Sequence, residues 1–251
     1  MMEYLEKHES MTVGDICGIF QVSRDTARRD IVKLTEQGAV IRTHGGIALT
    51  KFNQKIQEYV SRLTNEPEVK KEIGAYAATY VKDNDMIFLD VSTTVQCMIP
   101  HLKVQSLTVI TQSMDNAWLL MENDRVQTYI MGGLIQPKTR QALGYDTLAK
   151  LADYRFNKIF IGATGITHEG VYYFAEEDIS FKRELAKRAE QVIILADHTK
   201  FGKYSSYKGL DLNAVDIMIT DRPVAKGLQE NIESEGIQLI TLQDIEEDGN
   251  V

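Results

Sequence analysis

The sequence predicts an α/β protein in two unequal parts: a small N-terminal winged helix-turn-helix, then a doubly wound, largely parallel sheet. Three observations carry this. Residues 12–37 hold two short amphipathic helical stretches joined by a turn, and residues 39–49 a small β-ribbon. From Met86 onward, short apolar runs alternate with helical stretches. Those runs are continuously apolar rather than alternating, as in strands covered on both faces.

Met2–His8 fits a short first helix. Thr12 caps a second, Val13–Phe20, with Val13, Ile16, Ile19 and Phe20 on one face. Gln21-Val22 leads into a third. Ser23 is its cap, because a serine hydroxyl accepts from the orphan amides of the first turn. Val22 and Ala27 are spaced for a hydrophobic staple, and Asp25 suits the positive end of the helix dipole. At about 100° per residue, Ala27, Ile31 and Leu34 share a buried face while Asp25, Arg29 and Lys33 point away, with Thr26 and Arg28 on the flanks. Gly38 ends the helix in the left-handed region. Ala39–Arg42 reads as a strand, Gly45-Gly46 as a tight turn and Ile47–Leu49 as the return strand. A second helix with an outward arginine pair is the arrangement that enters a DNA major groove. A solvated charged face is the plain alternative. Residues 1–50 carry six lysines and arginines against seven acids, which counts mildly against a nucleic-acid partner.

Residues 51–67 are polar and read as a linker, so the expected division is 1–50, 51–67 and 68–251. Residues 66–82 form an amphipathic helix with Val69, Ile73, Ala77, Tyr80 and Val81 inside. Strands are expected at 86–89, 107–110, 126–131, 158–161, 192–196, 217–220 and 237–240. Helices fit between them at 94–103, 114–122, 143–152, 178–190 and 224–234. Trp118, on an apolar helix face, reads as core, and Tyr172-Tyr173-Phe174 as a strand or edge packing cluster, with a wall of the ligand pocket as the alternative.

A chain of 251 residues with 43% hydrophobic and 25% charged residues buries a real core and is not a disordered protein. Its net charge of −8 argues against a generally basic coat protein but leaves room for a local basic face. Cys17 and Cys97 are far apart with no spaced ligand partner, so no metal site and no disulfide framework is read. With no long apolar run and no signal peptide, a cytoplasmic chain that keeps off membranes is expected.

Ligands of such sheets bind at the carboxyl ends of the strands. Those ends read Asp90-Val91-Ser92-Thr93-Thr94, Thr111-Gln112-Ser113, Gly132-Gly133, Gly162-Ala163-Thr164-Gly165 and Asp197-His198-Thr199-Lys200. Hydroxyls, glycines and helix starts are the parts of an anion cradle, to which Lys182 and Lys200 add point charges and Arg140 a forked donor. Ser92, Thr93 and Ser113 serve equally well as ordinary helix caps.

The run Val22-Ser23, Thr26, Arg28-Arg29-Asp30, Ile31 and Leu34, Gly38 and Arg42-Thr43-His44-Gly45-Gly46 resembles the N-terminal domain of the DeoR family of bacterial transcriptional regulators. The first helix starts closer to the beginning than that family's usually does. The likeness continues through Asp90-x-Ser92-Thr93-Thr94, Thr111-Gln112-Ser113, Gly132-Gly133, Gly144, Gly162, Glu176-Glu177-Asp178, Lys182-Arg183, Asp197–Gly202 and Thr220-Asp221. Ser92 and Gln112 depart from the glycine and asparagine common there. The resemblance implies a C-terminal domain similar to ribose-5-phosphate isomerase, glucosamine-6-phosphate deaminase and CoA-transferase folds, sensing a phosphorylated sugar or related metabolite.

It also implies a DNA-binding regulator, read as a repressor of a carbohydrate-utilisation operon. Its DNA contacts would come from Ser23, Arg24, Thr26, Arg28, Arg29, Lys33, Arg42, His44 and Gly45. The effector residues would be Asp90, Ser92, Thr93, Thr94, Thr111, Ser113, Gly132, Gly133, Arg140, Gly162, Asp178, Lys182, Asp197 and Lys200. The expected partners are double-stranded operator DNA, a small phosphorylated metabolite and further copies of the chain, as a homo-dimer or tetramer, with no cofactor and no catalytic residue. The alternatives are a sugar-phosphate isomerase or deaminase with an appended domain, for which Asp90 is the residue to test, and a winged domain that binds protein.

Overall fold

The computed structural model describes residues 1, 4, 5, 10–36, 40–43, 46–49, 67–137 and 139–247. The chain divides into two compact units, Met1–Gln57 and Glu58–Val251.

In the first unit, β1 (Ser10–Thr12) leads into α1 (Val13–Phe20) and α2 (Arg24–Glu36), followed by β2 (Val40–Thr43) and β3 (Gly46–Leu49). Thr12 and Asp15 close a reciprocal capping box, Thr12 Oγ1 accepting from the Asp15 amide at 3.0 Å and Asp15 Oδ2 from the Thr12 amide at 2.8 Å. Gln21 turns the chain in the left-handed region at φ 51°. Ile16 and Ala27 are fully buried and pack with Leu5, Met11, Ile31, Val40 and Ile47 in one small core, against which Val22 and Leu34 lie. The strands form an antiparallel sheet in the order β1-β3-β2.

Two expectations change here. Strand β1 was not anticipated, since three residues are too few to show a period of two. Gly46 sits in β3 rather than in a turn, opposite Thr43 and Thr12, and a Cβ there would strike the Met11 carbonyl. Most of the Met2–His8 helix, the Gly38 terminator, the residue-51–66 linker and His44-Gly45 lie outside the described residues.

The described part of the second unit begins with α3 (Pro67–Ala78). Its sheet has seven parallel strands: β4 (Met86–Leu89), β5 (Leu107–Thr111), β6 (Val126–Ile130), β9 (Phe156–Gly162), β12 (Ala189–Leu195), β14 (Ile217–Thr220) and β15 (Gln238–Thr241). Their order is β15-β14-β12-β9-β4-β5-β6. Alternate residues feed two cores. Ile87, Leu89 and Val109 join Ile73 and Ala77 of α3 on one face, while Phe88 and Ile110 join Phe156 and Phe181 on the other.

Between the strands lie α4 (Thr93–Gln96), α5 (Met114–Leu120), α6 (Tyr145–Lys150), α7 (Glu177–Ala186) and α8 (Lys226–Ser234), and α9 (Leu242–Glu247) follows β15. The helix expected at 94–103 breaks into α4 and a 3-10 turn, Ile99–His101, because Pro100 has no amide to continue it. The helix expected from 143 starts at Tyr145, since β7 (Leu134–Gln136) and β8 (Gln141–Leu143) form an antiparallel hairpin ended by Gly144 at φ 136°. The helix expected to reach 190 ends at Ala186, and Ala189 already belongs to β12. Strands β10 (Gly165–Thr167), β11 (Gly170–Tyr173) and β13 (Tyr207–Leu210) add a small antiparallel sheet. Trp118 is not core. It is 67% exposed, because Asn116 and Leu120 take the inner face of α5 and residue 118 falls between them on the other side.

Candidate functional site

On α2 the buried stripe fixes what faces outward. Ala27 and Ile31 anchor the helix, and Arg24, Asp25, Thr26, Arg28, Arg29, Val32 and Lys33 are all exposed. Among the described residues no ion pair engages Arg24, Arg28, Arg29 or Lys33. Ser23 is a working cap: its Oγ accepts from the Thr26 amide at 3.2 Å and lies 3.0 Å from Thr26 Oγ1. Both hydroxyls are therefore partly occupied by the helix start. Arg42 belongs to β2 by its backbone. The result is a short rigid rod presenting guanidinium and ammonium groups to solvent.

The strand ends of the second unit give the opposite picture. Asp90, just after β4, is 2% exposed. Its Oδ1 accepts from Lys182 Nζ at 2.6 Å and its Oδ2 from the Gly162 amide at 3.2 Å. Its carbonyl receives Asn116 Nδ2 at 3.0 Å. Lys182 reaches it from the middle of α7 and lies 4.8 Å from the centre of the Tyr173 ring. Gly162 is glycine for a steric reason, since a Cβ there would come within 2.6 Å of Ser92 Cβ.

Several expected anion ligands are engaged by the protein itself. Ser92 Oγ takes the Thr94 and Val95 amides at 3.3 and 3.4 Å, and Ser113 Oγ takes the Asn116 amide at 3.1 Å. Thr111 Oγ1 donates to the Leu89 carbonyl at 2.7 Å. Thr93 and Thr94 are buried, and the Gly132 carbonyl accepts from Thr147 Oγ1 at 2.6 Å. Gly133, at φ 153°, would press a Cβ onto the Leu143 carbonyl at 2.6 Å. Arg140 is exposed and pairs with Asp115 at 3.2 Å. Capping thus accounts for Ser92 and Ser113, and Arg140 stands on the surface rather than with Asp90.

Around Asp90 and Lys182, several buried polar atoms have no hydrogen-bond partner among the described residues: Gln112 Oε1, Asn116 Oδ1, Tyr173 OH and Asp178 Oδ1. Gln112 Nε2 meets Gln141 Oε1 at 3.0 Å. Burial pushes the Asp178 carboxyl up, with Lys182 opposing and the Asp90 charge adding to the rise. Burial, then Asp90, also drives the Tyr173 phenol far up, so it stays protonated.

A second cluster sits beyond β12 and β14. Asp197 is buried and accepts from the Thr199 amide at 3.0 Å and from the Thr199 hydroxyl, with Lys200 Nζ 3.5 Å away. Burial works to raise the Asp197 carboxyl, but Lys200, Thr199 and Lys70 together outweigh it and hold it below its ordinary value. Asp221 accepts the His198 amide at 2.7 Å, and its other oxygen lies 2.6 Å from His198 Nδ1. A cleft of about 420 Å³, lined in part by Pro100, Leu119 and Arg125, opens at the amino ends of β5 and β6, remote from all these residues.

Sequence reasoning missed Asn116, Gln141 and Lys70 as site neighbours, and it left Gln112 and Tyr173 out of the effector residues although both belong to stretches it placed at the strand ends or against the pocket. Lys70 had a visible signal: it shares the inner face of α3 with Ile73, Gly74, Ala77 and Ala78.

Residues 1–52 match the family model for a DeoR-like helix-turn-helix domain, and residues 65–222 that for a DeoR C-terminal sensor domain. The chain is 41% identical to the HTH-type transcriptional repressor GlcR of Bacillus subtilis over 97% of its own length and 94% of that protein. It is 31% identical to the HTH-type transcriptional regulator IolR of Bacillus subtilis, covering 89% of this chain and 90% of the relative. The glycerol-3-phosphate regulon repressor of Escherichia coli is 25% identical over 95% of both. Among solved structures, ribose 5-phosphate isomerase A from Neisseria gonorrhoeae aligns with 55% of each chain at 16% identity and a TM-score of 0.37.

Proposed function

The chain belongs to the DeoR family of DNA-binding transcriptional regulators, and on that premise we propose that it represses a carbohydrate-utilisation operon under the control of a phosphorylated sugar. Helix α2 lies in the major groove. Arg28 and Arg29 lead, Arg24, Thr26 and Lys33 support, Ser23 holds the helix start, and the Arg42–Gly46 wing meets backbone or minor groove. Two or more copies read repeated half-sites. The protein acts in the cytoplasm; no helix among the described residues is long and apolar enough to cross a membrane.

The observation that carries the DNA reading is the row of exposed cations on α2 with no acid of the described chain on them. Gel-shift titration of promoter DNA tests it. Binding should weaken steeply with salt, as counterion release requires. Binding by Arg28→Ala/Arg29→Ala equal to wild type would remove the assignment.

For the effector, the supporting observation is the set of unpartnered buried atoms around Lys182, from Gln112, Tyr173 and Asp178. A hydroxyl-rich ligand supplies what they lack, hydroxyls for Gln112 Oε1 and Asp178 Oδ1, while the Lys182 ammonium, already paired with Asp90, is the cation that an anionic group of the ligand would join. Asp90, Ser92–Thr94, Thr111, Ser113, Gly132, Gly133 and Gly162 shape this site more than they fill it, and Asp197 and Lys200 border it. Asp90, held by Lys182 and the Gly162 amide, is not a free base, so no turnover of ribose 5-phosphate or glucosamine 6-phosphate is expected. A thermal-shift screen against sugar phosphates tests the reading, because a ligand selective for the native state raises Tm by mass action. Operator DNA must then change the affinity of that ligand by the factor by which the ligand changes DNA affinity.

A further inference from the structure

The sheet of the second unit ends on one side in β6, Val126–Ile130, which among the described residues is bonded to β5 alone. Its sequence, VQTYI, has no charge and no proline, the usual protections of an open edge. Val126 packs with Leu120 of α5. By alternation Ile130 shares that face, and Tyr129 lies on the opposite one. Both are exposed, so apolar surface borders the open edge from both sides of the sheet. β7 follows at once and exposes Leu134 (71%) and Ile135; Trp118 of α5 and Tyr145 (84%) at the start of α6 extend the patch.

Summed from their exposures, these six residues offer roughly 800 Å², about what each partner gives to a standard protein interface. The Arg140–Asp115 pair, close in sequence to both ends of the patch, is already neutralised.

We propose that this face is where a second copy of the chain docks, the two β6 edges meeting antiparallel about a two-fold axis. The patch carries no charge, so two copies of a chain at −8 can meet on it without setting like charges against each other, and its area is what one side of a stable dimer contributes. A strand edge can also meet its own copy across a two-fold only in antiparallel register.

The same face is wired to the strand-end site. The β7–β8 hairpin pairs Leu134 with Leu143, Ile135 with Ala142 and Gln136 with Gln141. Its β8 strand is bonded to the end of β5: Gln141 bridges to Ser113, the Ala142 amide donates to the Gln112 carbonyl at 2.9 Å, and the Gln112 and Gln141 side chains meet at 3.0 Å. A ligand that engages Gln112 or Gln141 therefore acts on the strand whose partner carries the interface. This rests on the reading of a regulator that works in more than one copy.

Sedimentation velocity of the full chain at micromolar concentration tests it. Wild type should run at a multiple of the single-chain mass. Leu134→Glu/Tyr145→Glu should halve that mass while far-UV dichroism and Tm stay unchanged. Trp118→Arg, a change on α5 instead, should act in the same direction and serves if the first pair fails to fold. Tyr204→Glu, an exposed tyrosine of the segment before β13, should leave the mass unaltered. A multiple-copy mass unmoved by both interface variants overturns this face and leaves the multi-copy reading standing. A wild-type chain that runs as a single copy throughout overturns both.

Discussion

The two charged regions of this molecule are built on opposite principles. On α2 the cations stand in water without acidic partners among the described residues, and the helix beneath them is anchored by Ala27 and Ile31. At the strand ends Asp90 and Lys182 are buried and spend their charge on one another at 2.6 Å. An exposed guanidinium costs nothing in desolvation and is free for a polyanion brought from outside. A buried ammonium already has its carboxylate, so any ligand there must join an existing network. The first region suits long-range, salt-sensitive attraction, and the second short-range selection by fit.

The largest test of that contrast is Lys182→Met. It leaves Asp90 buried without its cation, which costs about 3–5 kcal/mol. A large fall in the urea midpoint is expected, and a change under 1 kcal/mol would mean that water reaches Asp90. On the other side of the comparison, Arg29→Ala should leave the urea midpoint within about 0.5 kcal/mol, as surface changes do. It should weaken operator binding by about 1–3 kcal/mol if it reads a base. A lost fold with retained DNA affinity would invert the comparison.

Two carboxyls sharpen it through pH, with opposite signs. Asp197 titrates below its ordinary value, so the stability it adds is complete above the unfolded carboxylate pKa of about 4 and is lost as pH falls through the lower folded value. Asp197→Asn should therefore be least stable relative to wild type near neutral pH and converge with it in acid. Asp178 is raised by burial, so its contribution is present below about 4 and is lost as pH rises through the folded value. Asp178→Asn should gain on wild type as pH rises. Urea titrations from acid to neutral read both. The smallest effect is Ser23→Ala, about 1 kcal/mol from the lost cap, together with a modest loss of DNA affinity as the start of α2 frays.

Legibility in the sequence followed the length of each element and the range of its contacts. The inner strands of the main sheet stood out, because burial on both faces makes their central residues apolar, as in Ile87–Leu89, Ile159–Ile161 and Val192–Leu195; β6, VQTYI, at the edge keeps only Val126 buried. β1, β7, β8, β10 and β13, each of three or four residues, left no period to read, and of β11 only the Tyr172-Tyr173 pair did. Ala27 and Ile31 could be placed inside and Arg28 and Arg29 outside because one helix settles all four. The Asp90–Lys182 pair spans 92 residues, and no local pattern joins its members. Trp118 misled because an apolar side chain on an apolar-looking helix does not reveal which stripe packs. Lys70 went unweighed, although a lysine among the inward residues of a helix is itself a reason to look for an acid.

His198 is held to Asp221 by both its amide and its ring, so the turn after β12 is fastened to the end of β14. Segments in that position are commonly the slack part of such folds and become ordered only when something arrives. Here the shape is set in advance, so a molecule that bound there would forfeit little entropy to organise it. Pre-set geometry has its own cost. A turn that does not yield cannot mould itself to a larger or differently branched guest, and discrimination among close chemical cousins is the natural result.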